Sequence, residues 1–183
     1  MPEHVISYGK AEVPVYRIGP GDSLFAAEVT VEVFGDNFLP AYTEGDNRNV
    51  VATDSMKNFI LRAGAEYPGG TLEGFLHHVA TGLLDRYEQM ESLRVSGREL
   101  RFDHQRGVLY DRSQGDHGTA ELDLDRAGGI RLAGHRCGRV GLHLMKLRGS
   151  AFTRFVRDEY TTLPEHLDAD LGREHAGVER THR

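Results

Sequence analysis

Polar side chains crowd the start of one predicted helix. The run GDNRNVVATDSMKNFILRAG, residues 45–64, passes from apolar Val50-Val51-Ala52 to Thr53-Asp54 and then, three residues on, to Lys57. A helix needs a single N-cap. Thr53 or Asp54 alone can accept an amide hydrogen bond there, and Asp54 also suits the positive end of the helix dipole. The surplus opens a second reading, in which the threonine hydroxyl takes part in proton transfer. Lys10 is the candidate partner: it lies in YGK, just ahead of the first predicted strand, where a glycine permits close backbone approach. An amine desolvated toward neutrality can hold a hydroxyl as a proton relay. From the residues alone, cap and relay both stand.

Other chemistry-bearing residues do not group. His77-His78 falls within a predicted helix, where successive side chains diverge by about 100° and do not converge on one ion. His135, His143, His166, His175 and His182 show neither His-x-x-x-His nor Glu-x-x-His spacing, so no metal site is expected. The glycines of GPGDS (19–23) and AGG (127–129) lack the Lys-Ser/Thr of a phosphate loop, and no nucleotide is expected either. The single cysteine, Cys137, has no partner for an internal disulfide and reads as a partly buried thiol.

Lys and Arg number 22 against 28 Asp and Glu, a net charge of -6, which argues against a nucleic-acid groove or a surface that binds anionic membranes. No apolar run is long enough to cross a bilayer, and MPEHVISYGK lacks a cationic stretch followed by an apolar one. The expectation is a soluble, cytoplasmic protein.

The elements that must position Lys10 and Thr53 follow from hydrophobic period. Val13, Val15 and Ile18, then Ala27, Val29, Val31 and Val33, alternate with polar residues on either side of the GPGDS turn, the pattern of an antiparallel hairpin with one wet face. Met56, Phe59, Ile60 and Ala63 change the period to that of a helix, and YPGG (67–70) stops it. Thr71 is the expected N-cap of a second helix with Leu72, Phe75, Leu76, Val79, Leu83 and Tyr87 on one side. Period two returns at Leu93 and Val95, Leu100 and Phe102, and Ala120, Leu122 and Leu124. Residues 1–125 thus read as ββααββ, an α+β unit with two helices on one face of an antiparallel sheet. DRAGG (125–129) marks the expected boundary. Ile130 and Leu132, with Val140, Leu142, Leu144 and Leu147, suggest a further hairpin within residues 126–165, and residues 166–183 a polar tail. Since an isolated hairpin is barely stable, its apolar face is expected to lie on the first unit or on another subunit, which points to a homo-oligomer.

Four stretches, in order, resemble the urate oxidase (uricase) family: YGK with VPVYRI at 8–18, GDNRNVVATDSMKN at 45–58, GFLHHVATGLLDRYEQMESLRV at 74–95, and SAFTRFVRDEYTTLPE at 150–165. The resemblance implies the tunnelling fold, whose repeating unit is the ββααββ arrangement, with the extra hairpin belonging to an incomplete second unit. It also implies assembly around a tunnel with active sites between subunits. The implied reaction is oxidation of urate by molecular oxygen to 5-hydroxyisourate and hydrogen peroxide, without metal or organic cofactor. On this resemblance Lys10 and Thr53 match the catalytic lysine and threonine, Asp54 a residue whose backbone contacts the purine, Phe152 the aromatic on which the ring stacks, and Leu163 an apolar wall.

The match has departures. Ala169 stands where the family places an arginine that clamps the purine, with Arg173 four residues later. The family's later glutamine, asparagine and catalytic histidine have no counterparts, so the missing part of the site is expected from another copy or another chain. Two alternatives follow: an enzyme acting on a different purine-like heterocycle, or a non-catalytic truncated paralogue that serves in assembly.

Overall fold

The computed structural model describes residues 5–106, 109–145 and 154–161. Strands β1 (Ser7–Ile18) and β2 (Leu24–Phe34) run antiparallel, joined across a short turn at Pro20–Asp22. A brief helix α1 (Pro40–Thr43) precedes the two long helices, α2 (Thr53–Glu66) and α3 (Leu72–Arg86). Five strands follow: β3 (Ser92–Glu99), β4 (Phe102–His104), β5 (Tyr110–Arg112), β6 (His117–Asp125) and β7 (Arg131–Val140). The main sheet has five strands in the order β1-β2-β3-β6-β7, and β4 and β5 form a separate small hairpin. Its first four strands with α2 and α3 reproduce the expected ββααββ order. The strand expected at Leu100 and Phe102 begins only at Phe102, as β4, and pairs with β5 outside the main sheet; α1 and β5 were not legible, because each is too short to show a period. No helix among the described residues is long and apolar enough to cross a membrane.

One apolar core joins the layers. Alternate residues of the sheet, Val13 and Val15, Ala27 through Val33, Leu93 and Val95, and Ala120 through Leu124, meet Met56 and Ile60 of α2 and Phe75, Leu76, Val79 and Leu83 of α3. Burying a side chain of this size contributes about 1.5–3 kcal/mol, and no polar or charged residue among those described is fully buried. Thr71 caps α3 as expected, its hydroxyl accepting from the Gly74 amide at 3.3 Å. Gly64 lets α2 settle on β1: a Cβ there would lie 2.3 Å from Val15 Cγ1.

The first strand does not keep one register. Val13 faces Val29 and Val15 faces Ala27, but before them Lys10 faces Val31 and Tyr8 faces Val33. Two residues of β1 therefore match one of β2, a β-bulge in which Ala11 and Glu12 both stand against Thr30. Glu12 takes the left-handed backbone, φ 55°, at a cost of about 1 kcal/mol for a residue with a side chain. Because directly paired residues share a face, Tyr8 and Lys10 lie on the helical side with Val31 and Val33. Unbroken alternation back from Val13 would have put Lys10 on the other side.

The far end of the sheet also departs from expectation. Instead of a hairpin within Ile130–Leu147, the described residues form one strand, β7, paired with β6 from Asp125↔Arg131 to His117↔Val140. DRAGG is the turn between β6 and β7, with Gly128 at φ 77° and Gly129 at φ 130°. The first compact unit consequently runs to Leu142, past residue 125, and a second begins at His143. Cys137, expected to be partly buried, is exposed on β7. Within the second unit the described stretch Arg154–Thr161 contains a tight polar turn, in which the Asp158 amide donates to Thr161 Oγ1 at 3.0 Å and the Tyr160 amide to Asp158 Oδ1 at 3.0 Å.

Candidate functional site

The mouth of α2 answers the question raised by its polar cluster. Neither Thr53 nor Asp54 caps the helix: the N-cap is Ala52, which has no side-chain cap, and Thr53 and Asp54 are the first two helical residues. The first bond back to the cap runs from the Met56 amide to the Ala52 carbonyl at 3.2 Å. The amides of Thr53, Asp54 and Ser55 precede that bond, so they are the helix's open donors, the arrangement that receives negative charge.

The Asp54 carboxylate is held by its own helix. Lys57 Nζ donates to Oδ1 at 2.5 Å and Asn58 Nδ2 to Oδ2 at 3.1 Å. These partners, Lys57 foremost, hold the carboxyl below the usual carboxylate range, and the charge of Lys10 pulls in the same direction. Lys57 therefore neutralises Asp54, and both Thr53 and Asp54 stay exposed.

Lys10 reaches the same place from β1. It is half-buried on the helical side of the sheet, near enough for its charge to be felt at Asp54. Two features set the strand against this helix end. A Cβ on Gly9 would fall 1.9 Å from the Val31 carbonyl oxygen, so only glycine permits this strand spacing. Tyr8, two residues before Lys10, accepts a hydrogen bond from the Val51 amide at 3.0 Å and sets its ring edge-on to Phe38, with centroids 4.7 Å apart. Burial pushes the Tyr8 phenol up, so it stays protonated. Tyr8 is a residue that hydrophobic period overlooked. Its signal was its place two residues before Lys10 in YGK, but only with the bulge known could that place be read as inward.

Thr53 and Asp54 thus open α2, and the charge of Lys10 on β1 is felt at Asp54. Phe152 and Leu163, the expected stacking ring and apolar wall, lie outside the described residues, as do Ala169 and Arg173. A hollow of about 500 Å³ opens on the other face of the sheet, among Glu28, Thr30, Arg98, Glu121 and Arg136. Four of its charges are already paired: Arg98 Nε lies 2.7 Å from Glu28 Oε1 and Arg136 Nη2 lies 2.9 Å from Glu121 Oε1. The helix mouth, with an amine, a hydroxyl and open amides, is the better candidate for chemistry. Among the described residues no group of three or more His, Cys, Asp or Glu is placed to hold a metal ion.

Residues 6–125 match the family model described as Uricase. The uricase of Haloferax volcanii is 41% identical over an alignment covering 91% of this chain and 64% of the relative. The uric acid degradation bifunctional protein PucL of Bacillus subtilis is 36% identical, covering 89% of this chain and 39% of the relative. Among solved structures, a hyperthermostable mutant of the urate oxidase of Bacillus sp. TB-90 superposes with TM-score 0.72 at 37% identity, covering 89% of this chain and 63% of that one. The uricase of Arthrobacter globiformis gives TM-score 0.69 at 29% identity, covering 90% and 57%. The chain spans less than two thirds of the length of each of these relatives.

Proposed function

This chain belongs to the uricase family, and we propose that it is a urate oxidase that works without a cofactor, with Lys10 and Thr53 as its proton-handling pair. The substrate is urate and the oxidant is molecular oxygen. Balance fixes the remaining reactant: urate and oxygen, with one water, give 5-hydroxyisourate and hydrogen peroxide. Urate supplies two electrons, oxygen takes them up, and water supplies the oxygen atom added to the purine.

Urate is a planar, electron-rich anion and becomes a better electron donor when it loses a further proton. The protein's task is therefore orientation and proton transfer. In this reading the Lys10 amine and Thr53 hydroxyl relay protons between the purine, the oxygen species and water. The open amides at the start of α2, that of Asp54 among them, receive the negative purine edge. The family resemblance assigns ring stacking to Phe152 and an apolar wall to Leu163. The pocket is completed across a subunit contact, by a second copy or by a chain bearing the remaining purine contacts. What supports the proposal is that Thr53 and Asp54 open α2 without a side-chain cap and that the charge of Lys10 is felt at Asp54.

The test is turnover by the full purified chain under air. Loss of the urate ultraviolet band should be matched one for one by hydrogen peroxide. A folded, homogeneous chain that consumes no urate, alone or with a longer family member added, would overturn the proposal.

A further inference from the structure

We propose that Thr30 is a positioning residue for Lys10, its hydroxyl holding the β-bulge that turns the lysine onto the helical side of the sheet. The inference rests on the role assigned to Lys10 and Thr53 above, and it concerns a residue on the opposite face of a different strand.

The bulge decides where Lys10 points. Val13 and Val15 are buried under the helices, so alternation without an extra residue would carry Lys10 to the open face, on the side of Glu28 and Glu32. The extra residue restores it to the helical side, opposite the fully buried Val31. A bulge leaves an amide without its partner in the ladder. Here that amide is Glu12 N–H, and it donates to Thr30 Oγ1 at 3.1 Å. Glu12 also carries the left-handed backbone of the bulge, φ 55°. A glutamate stays in that conformation only when its surroundings hold it, and the Thr30 hydroxyl is the acceptor placed to do so. Thr30 itself sits in regular register on β2, between Val31 and Val29 and opposite Ser96 of β3. It is therefore a fixed post on which the irregular strand is tied.

The experiment compares the full wild-type chain with Thr30→Val, which keeps the shape and loses the acceptor, and Thr30→Ser, which keeps the acceptor. A fourth protein, Thr30→Val with Glu12→Gly, supplies a residue that adopts φ 55° without help. Two readouts are taken: the rate of Lys10 acetylation across pH, referenced to Lys57 in the same digest, and kcat and KM on urate. For Thr30→Val the expected result is a Lys10 rate changed about threefold or more and kcat lower by about tenfold or more, with KM little altered. Thr30→Ser should behave as wild type, and the Glu12→Gly change should restore part of the loss. If Thr30→Val does not fold, Thr30→Ala takes its place.

A folded Thr30→Val with wild-type Lys10 labelling and kcat overturns the inference, as does a Thr30→Ser protein as impaired as Thr30→Val. The functional reading fails differently: Lys10→Met and Thr53→Ala would leave turnover intact, whatever the labelling of Lys10 shows. A chain without turnover still decides the matter, because the labelling rates alone report whether Thr30 holds Lys10.

Discussion

The face of the sheet beneath α2 and α3 and the face turned away from them are lined by the same strands, yet they hold opposite chemistry. Under the helices the strands present Val, Leu and Ala, buried without a polar residue among them. On the other face the same strands present rows of charge closed into pairs, with Arg94 Nε 2.8 Å from Asp123 Oδ1, Arg98 on Glu28 and Arg136 on Glu121. Lys10 is the exception that makes the comparison useful. It is a cation placed at the rim of the apolar face, beside the helix mouth, by a single extra residue in β1. A charge among other charges is neutralised; a charge moved to the apolar side is left to act on what is brought to it.

The difference between the faces predicts different costs of mutation. The largest stability loss should come from the covered face: Leu83→Ala, at a residue with 0% exposure, should lower unfolding free energy by roughly 2–5 kcal/mol in denaturant titration. A loss below about 1 kcal/mol would show that the layers are less tightly joined than described. The open face should tolerate more. Arg98→Ala removes an ion pair whose arginine is exposed and should cost less than about 1 kcal/mol, shrinking further at high salt.

The smallest effect is expected at the boundary of the site. The Asp54 carboxyl is held down in the folded state by Lys57, Asn58 and Lys10. A carboxyl depressed on folding stabilises above its unfolded pKa of about 3.9, and that contribution is lost as pH falls through the lower folded value. Asp54→Asn should therefore lower stability slightly at neutral pH, leave it nearly unchanged at pH below the folded pKa, and so flatten the acid limb of the stability curve. A loss of the same size in acid as at neutral pH, or none at neutral pH, would contradict the pairing with Lys57.

The layered unit was legible because its elements are long and their periods clean. Met56, Ile60 and Ala63 mark one stripe of α2, and Val29, Val31 and Val33 one face of β2, and both are buried as their spacing predicts. The site was legible only in part. Lys10 and Thr53 could be named, but period two counted back from Val13 assigns Lys10 to the wrong face, since a bulge leaves no mark in the alternation beyond the point where it breaks it. Thr53-Asp54 read first as a cap because residue type does not tell whether such a residue stands at the N-cap or just inside the helix. The β7 misreading has a similar cause: Leu132 and Val140 stand at the two ends of one exposed edge strand, and an edge strand with little burial shows no period.

The most direct measurement is a double-mutant cycle on urate turnover in the full chain, using Lys10→Met, Thr53→Ala and the two combined. Groups that act as one relay should each cost on the order of 100-fold or more in kcat, and the double variant should be little worse than the poorer single one. Losses that multiply, or single variants as active as wild type, would contradict the claim that the bulged strand and the uncapped helix bring these two side chains together to do one job.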